Sequence, residues 1–174
     1  MPVLLCLSGL PGVGKSTIAR ALAEQAGALH LRIDEMEAAM RQSHMTCDDL
    51  ADGGYAAAQA VAGAALDQGF DVIADSVNPI ALTRRDWRQP SKHHHHLDVV
   101  ITCSDPAEHR RRVDTRENDI EGHTLPTWEA VQNRRFEPFP DADIHLDASQ
   151  LSREGAILRL FAAMQATKHE DTHV

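Results

Sequence analysis

A chain of 174 residues, 43% hydrophobic and 25% charged, is long enough for one domain with a full core. Its net charge of −9 argues against a general basic surface that tracks a nucleic-acid backbone, leaving room only for a local basic site. No apolar run approaches the roughly 20 residues that cross a bilayer, and the start lacks the basic opening of a signal peptide, so a cytoplasmic protein with no membrane segment is expected.

Pro2–Ser8 is an apolar run that ends in a glycine-rich turn, and Ser16–Ala26 carries Ile18, Leu22 and several alanines on one face before Gly27 stops it. The order is strand, loop, helix. Leu29–Ile33 reads as a second strand that delivers Asp34, and Glu35–Gln42 has helical composition. His44–Gly54 lacks a period and reads as a loop. Tyr55–Gln68 has helical spacing and is rich in alanine, which suits close helix packing, and Gly69 ends it before the strand Phe70–Ala74 delivers Asp75. Asn78-Pro79 looks like an N-cap and a first helical residue, predicting a short helix over Pro79–Arg88 with a basic outer face.

Leu97–Cys103 predicts the next buried strand, and Asp105-Pro106-Ala107-Glu108 supplies a cap, a first-turn proline and a capping-box glutamate for a helix carrying His109, Arg110, Arg111, Arg112 and Arg116. The pattern then breaks until a helix around Thr127–Arg135, and an arginine-flanked interruption over about 114–127 suits a lid. Ile144–Asp147 and Leu151–Ala166 predict a last strand and helix, with 167–174 as a tail, so that 1–166 forms one domain. Strands alternating with helices imply an α/β fold of three layers, with a mainly parallel sheet covered on both faces. The cysteines Cys6, Cys47 and Cys103 have no metal-like spacing and read as reduced structural thiols.

Gly9-Leu10-Pro11-Gly12-Val13-Gly14-Lys15-Ser16 fits the Walker A pattern G-x-x-x-x-G-K-[ST] between a predicted strand and helix. In that context the N–H groups from Gly9 through Gly12, Val13 and Gly14 to Thr17 cradle phosphates, Lys15 reaches the β- and γ-phosphates, and Ser16 coordinates Mg²⁺. ATP and Mg²⁺ are therefore the expected ligands. Asp75, at the end of an apolar strand, is the expected acidic partner of the metal, and Asp34 the expected base towards an acceptor hydroxyl. Arg112 and Arg116, four apart on one helical face, are expected to stabilise charge on the transferred phosphoryl group, with Arg134 and Arg135 weaker candidates.

Gly9–Thr17, Asp34, Asp75 and the Arg112/Arg116 pair resemble the small P-loop kinases related to polynucleotide 5′-kinases, chloramphenicol phosphotransferases, zeta toxins and gluconate kinases. The resemblance implies a P-loop NTPase fold with a five-stranded parallel sheet, order 2-3-1-4-5, and a helical lid. It also implies Asp34 as base and Arg112 and Arg116 on the ATP phosphates. The segments Asp75-Ser76-Val77-Asn78-Pro79, Cys103-Ser104-Asp105, His109–Arg116, Asp119-Ile120, Pro126-Thr127-Trp128 and Arg135 resemble, more closely, bacterial ATP-binding proteins and kinases of the AAA family. The polynucleotide-kinase-like subgroup often carries arginine three residues after the base, where this chain has Glu37.

With that departure and the acidic charge, a small hydroxyl-bearing acceptor is expected, contacted by Ser76, Asn78 and Arg135, in a monomer or homodimer. A nucleotide or polynucleotide 5′-kinase is the alternative enzyme, and an ATP-hydrolysing switch acting on a protein partner the alternative of another class. Four successive imidazoles at His93–His96 cannot all face one metal from a regular strand or helix, so the run reads as a surface loop. Trp87 and Trp128 are expected to pack on helices.

Overall fold

The computed structural model describes residues 1–44 and 49–169, so Cys47, Asp48 and the end of the tail lie outside the described residues. Five strands form one parallel sheet in the order β2-β3-β1-β4-β5, as the resemblance implied. The strands are β1 Val3–Ser8, β2 Leu29–Arg32, β3 Val72–Asp75, β4 His95–Thr102 and β5 Ile144–Asp147. The helices are α1 Lys15–Ala26, α2 Ile33–Gln42, α3 Gly53–Asp67, α4 Ala81–Asp86, α5 Pro106–Asp114, α6 Trp128–Gln132 and α7 Arg153–His169.

β1 is apolar throughout because it is the central strand and both of its faces are covered. Val3, Leu5 and Leu7 pack with α1 and α7, where Ile18, Leu22, Leu160 and Met164 close one core layer. Leu4 and Cys6 face the opposite way, onto Ala58, Ala62 and Leu66 of α3 and onto Trp87. Each fully buried leucine contributes roughly 1.5–3 kcal/mol. Among the described residues no helix is long and apolar enough to cross a membrane.

Several boundaries differ from the sequence expectation: α3 opens at Gly53 and β3 at Val72, and α5 ends at Asp114, capped by Thr115, so Arg116 lies beyond the helix and not on one helical face with Arg112. Ile33 opens α2 rather than closing β2, so Asp34 sits in the first turn of a helix, where a carboxylate suits the helix dipole. Asn78 has φ 46° and does not cap α4; Ile80 takes that place, and the helix shrinks to Ala81–Asp86. The Asn78 amide instead donates to the Leu7 carbonyl at 3.2 Å and accepts from Trp87 Nε1 at 3.1 Å, which takes it into the core. β4 begins two residues before Leu97, because His95 and His96 pair in register with Val3 and Leu4, so half of the histidine run is strand rather than loop. α7 runs on to His169, where Lys168 pairs with Asp71. Asp105 caps α5 as expected, accepting from the N–H groups of Ala107 and Glu108, while the Glu108 carboxylate turns to Arg111 and Arg112.

Candidate active site

The site lies where β1 and β3 end. Gly9 follows β1 in a conformation with φ 147°, and a Cβ there would stand 2.3 Å from the Ile101 carbonyl oxygen of β4. Gly12, with φ 86°, passes so close to α5 that a Cβ would meet Val113 Cγ2 at 2.5 Å. The loop is thus held tightly against its neighbours in a form open only to glycine. His109 Nε2 of α5 donates to the Pro11 carbonyl at 2.8 Å, and Trp128 packs edge-on against that imidazole with ring centroids 5.2 Å apart. His109 is a support that sequence reading left among the basic residues of its helix.

Lys15 folds back over the loop, donating from Nζ to the carbonyls of Gly9 at 2.8 Å and Leu10 at 3.0 Å. Burial lowers its pKa to about 8, against the opposing pull of Asp75 and Asp34; Arg116 and Arg134 push it down further. Asp75, 3% exposed, is the hub opposite. Burial favours its neutral form, but His30, the Lys15 charge and the Ser16 hydroxyl outweigh that and hold the carboxyl below its ordinary value. His30 Nε2 stands 3.4 Å and Arg32 Nε 3.9 Å from Asp75 Oδ2, and this buried oxygen has no well-formed hydrogen bond. An ionised, under-satisfied carboxylate beside the Ser16 hydroxyl is a hard oxygen donor set that fits Mg²⁺.

The segment between α5 and α6 closes over this centre. Arg32, buried in β2, makes a two-pronged pair with Asp119 at 2.8 and 3.0 Å, and Arg20 of α1 reaches the same carboxylate at 3.0 Å. The Arg32 hydrogen bonds hold Asp119 far below the usual carboxylate range. Gln42 Nε2 donates to the Glu121 carbonyl at 2.6 Å, and His123 Nε2 stands 4.0 Å from Asp34 Oδ2. Arg112 is held by Glu108 at 2.7 Å and the Ala148 carbonyl at 2.8 Å. Arg116 has no salt bridge among the described residues and reaches the cleft freely.

Two clefts result. The larger, about 620 Å³, is lined by Gly12–Thr17, Asp75, Ser76, Arg112 and Arg116 and extends past Asp147 to α7. The smaller, about 370 Å³, is bounded by Glu37, Arg41, His123, Thr124 and Arg134. They share Pro11, Asp34, Val77 and Arg116 as common walls.

The fold brings together Gly12, Val13, Gly14, Lys15, Ser16, Thr17, Asp34, Asp75, Ser76, Arg112 and Arg116 in the larger cleft. Gly9 supports the loop from beneath. Asn78 and Arg135 stand apart: the Asn78 amide is committed to the core, and Arg135 lies on the surface paired with Glu137 at 2.5 Å. Its neighbour Arg134 lines the smaller cleft instead. Arg32 and His123 are new. Arg32 had a weak signal, as a cation closing a short strand one residue before the helix of Asp34; His123 had none.

A family model described as AAA domain matches residues 4–138. No curated protein matches the chain. Among solved structures, a candidate kinase from Chloroflexus aurantiacus j-10-fl superposes with TM-score 0.71 at 17% identity, covering 95% of this chain and 97% of that one. A gluconokinase from Sinorhizobium meliloti 1021 gives TM-score 0.61 at 19% identity over 97% and 98% of the two chains. The Mycobacterium tuberculosis APS kinase CysC, in complex with AMPPNP and APS, gives 0.66 at 13% over 94% and 98%. At such identities the likeness establishes the fold, that of the small P-loop kinases.

Proposed function

The chain belongs to the AAA domain family, and from that premise we propose that it transfers the γ-phosphoryl group of Mg·ATP to a hydroxyl of a small molecule. One observation carries the reading: a phosphate-binding cleft and a second, smaller cleft meet at Asp34 and Arg116. A hydrolase needs room for water beside the terminal phosphate, whereas a 370 Å³ space has the size for a small organic acceptor. The kinases of like fold are consistent with this.

In this reading the loop N–H groups and Lys15 hold the phosphates, and Ser16 with Asp75 holds Mg²⁺, which supplies charge neutralisation when bound. Asp34, in the wall shared by the clefts, accepts the proton of the acceptor hydroxyl as its oxygen attacks phosphorus and the bond to the ADP oxygen breaks. Arg116, with Arg112 behind it, offsets charge on the phosphoryl oxygens in flight. Ser76 lies on the donor side, and Arg134 replaces Arg135 as the acceptor-side cation.

The test is ATP consumption against a panel of polyols, sugar acids, nucleosides and 5′-hydroxyl oligonucleotides. A small hydroxyl compound as the active acceptor is expected, with Asp34→Asn lowering kcat by roughly 10²–10⁴-fold while ATP binding by calorimetry persists. An oligonucleotide as acceptor would point to polynucleotide kinase activity, turnover independent of any acceptor would point to a switch, and full activity in Asp34→Asn would remove the base assignment.

A further inference from the structure

The residual feature of the sequence is the histidine run, and one of its members takes part in a cluster outside the nucleotide cleft. His96 and Asp98 are two apart on β4, hence on one face of the sheet, and Cys6 of β1 is in register with Asp98. Cys6, His96 and Asp98 each bring one ligand-type atom to within 4.8 Å of the others. We propose that Cys6, His96 and Asp98 form a binding site for a borderline-soft divalent metal ion of the zinc class.

The hydrogen bonds around His96 favour this reading. The Ser91 hydroxyl has the Trp87 and Arg88 carbonyls within reach, at 3.4 and 3.3 Å, and stands 2.8 Å from His96 Nδ1. A hydroxyl that donates to a carbonyl accepts from Nδ1–H, which leaves Nε2 with its lone pair. Nε2 has no hydrogen bond, belongs to a side chain only 9% exposed, and faces Asp98 Oδ1 at 3.0 Å. In that tautomer Nε2 and Asp98 Oδ1 face one another as acceptors, an arrangement a shared cation resolves. Ser91 is then the outer partner that orients the imidazole, as ligating histidines require.

Cys6 supplies the third donor. The thiol is fully buried in β1 beside Asp98. On binding, the S–H bond is lost, an S–metal bond forms and the proton leaves to solvent. Arg88, paired to Asp98 Oδ2 at 2.6 Å, holds the carboxylate from the side away from Oδ1 and has an exposed side chain at the rim. A thiolate, an imidazole and a carboxylate are a donor set that selects zinc-class ions over Mg²⁺.

The test uses the full-length protein, first treated with a chelator, then titrated with Co²⁺ in the presence of saturating Mg·ADP. One equivalent of Co²⁺ is expected, with a thiolate-to-cobalt charge-transfer band, and Zn²⁺ is expected to displace it. Cys6→Ser is expected to abolish the band, and Ser91→Ala to weaken Zn²⁺ affinity roughly 10–100-fold in competition with a chromophoric chelator. His93→Ala should leave the band and affinity unchanged. Circular dichroism of each variant separates loss of metal from loss of fold, and His96→Gln gives a second, near-isosteric probe. Cobalt binding without a thiolate band, affinity that follows His93 instead of His96, or no binding at all would overturn the proposal.

Discussion

Lys15 is a cation placed where the folded protein stabilises it poorly. Its two carbonyl partners and the carboxylates Asp75 and Asp34 leave its pKa at about 8, below the ordinary 10.5. A difference of that size corresponds to roughly 3 kcal/mol of strain against folding with the amine protonated. Because the folded value is the lower one, that penalty is complete below about pH 8 and disappears as pH rises towards 10.5. Lys15→Met should therefore stabilise the nucleotide-free protein at pH 7 by about 1 kcal/mol, once the two lost hydrogen bonds, roughly 1 kcal/mol each, are deducted. At pH 10 the variant should be no more stable than the parent, while its ATP turnover at pH 7 falls by roughly 10²–10³-fold. Urea unfolding at the two pH values checks the sign: a variant less stable at pH 7 would mean that the ammonium is well solvated.

At the scale of elements, the segment between α5 and α6 hangs on β2 through Arg32 and Asp119. The Arg32 side chain is 2% exposed and Asp119 is 42% exposed, so solvent screens the pair partly, and a double-mutant cycle with Arg32→Met and Asp119→Asn should give a coupling of about 1 kcal/mol. Asp119 is held below its ordinary pKa, so the tether is complete above about pH 4 and is lost only as pH falls through the lower folded value. Asp119→Asn should raise the KM for ATP several-fold and speed amide exchange over 115–127, with exchange in β1 unchanged. Equal exchange in the two proteins would show that Gln42 and the Glu121 carbonyl suffice to hold the segment. This tether was not legible in the sequence, and the reason is physical. β1, β3 and β5 announce themselves because burial on both faces, or on one, writes an apolar run or an alternation into the residues themselves. Asp119 lies in a stretch with no period, 87 residues from Arg32, and nothing local marks it as a partner. The same holds for the pairing of Arg84 with the carbonyls of Asn78, Glu137 and Pro138, which joins the start of α4 to the segment after α6. That Lys15, Asp34 and Asp75 share one cleft was readable, because motif and strand ends give their positions; that Arg134 lines a cleft while Arg135 pairs with Glu137 was not, because both adjoin a short helix whose exit direction only the packing decides.

Across the whole molecule, the acidic balance of −9 coexists with a cluster of cations at one end of the sheet. Arg20, Arg32, Arg112, Arg116 and Arg153 border the larger cleft, and Arg41 and Arg134 the smaller. The parallel strand order, with the crossover that places β3 between β1 and β2, is what gathers them: every strand points its C-terminal end the same way, and the ends of β1 and β3 lie side by side. The two clefts open from that one edge and share Asp34 and Arg116 as walls, so the proposed function has a donor and an acceptor bound side by side. On the proposed function, direct transfer is the expected route and has a kinetic signature. Initial velocities measured against ATP at several fixed acceptor concentrations should give intersecting reciprocal plots, and transfer of a chiral phosphoryl group should invert configuration at phosphorus. Parallel plots, or retention, would require a phosphorylated residue at the junction, and the residue to examine would be His123, whose Nε2 lies 4.0 Å from Asp34 in the smaller cleft. Its replacement by glutamine should leave direct transfer intact and abolish a two-step reaction.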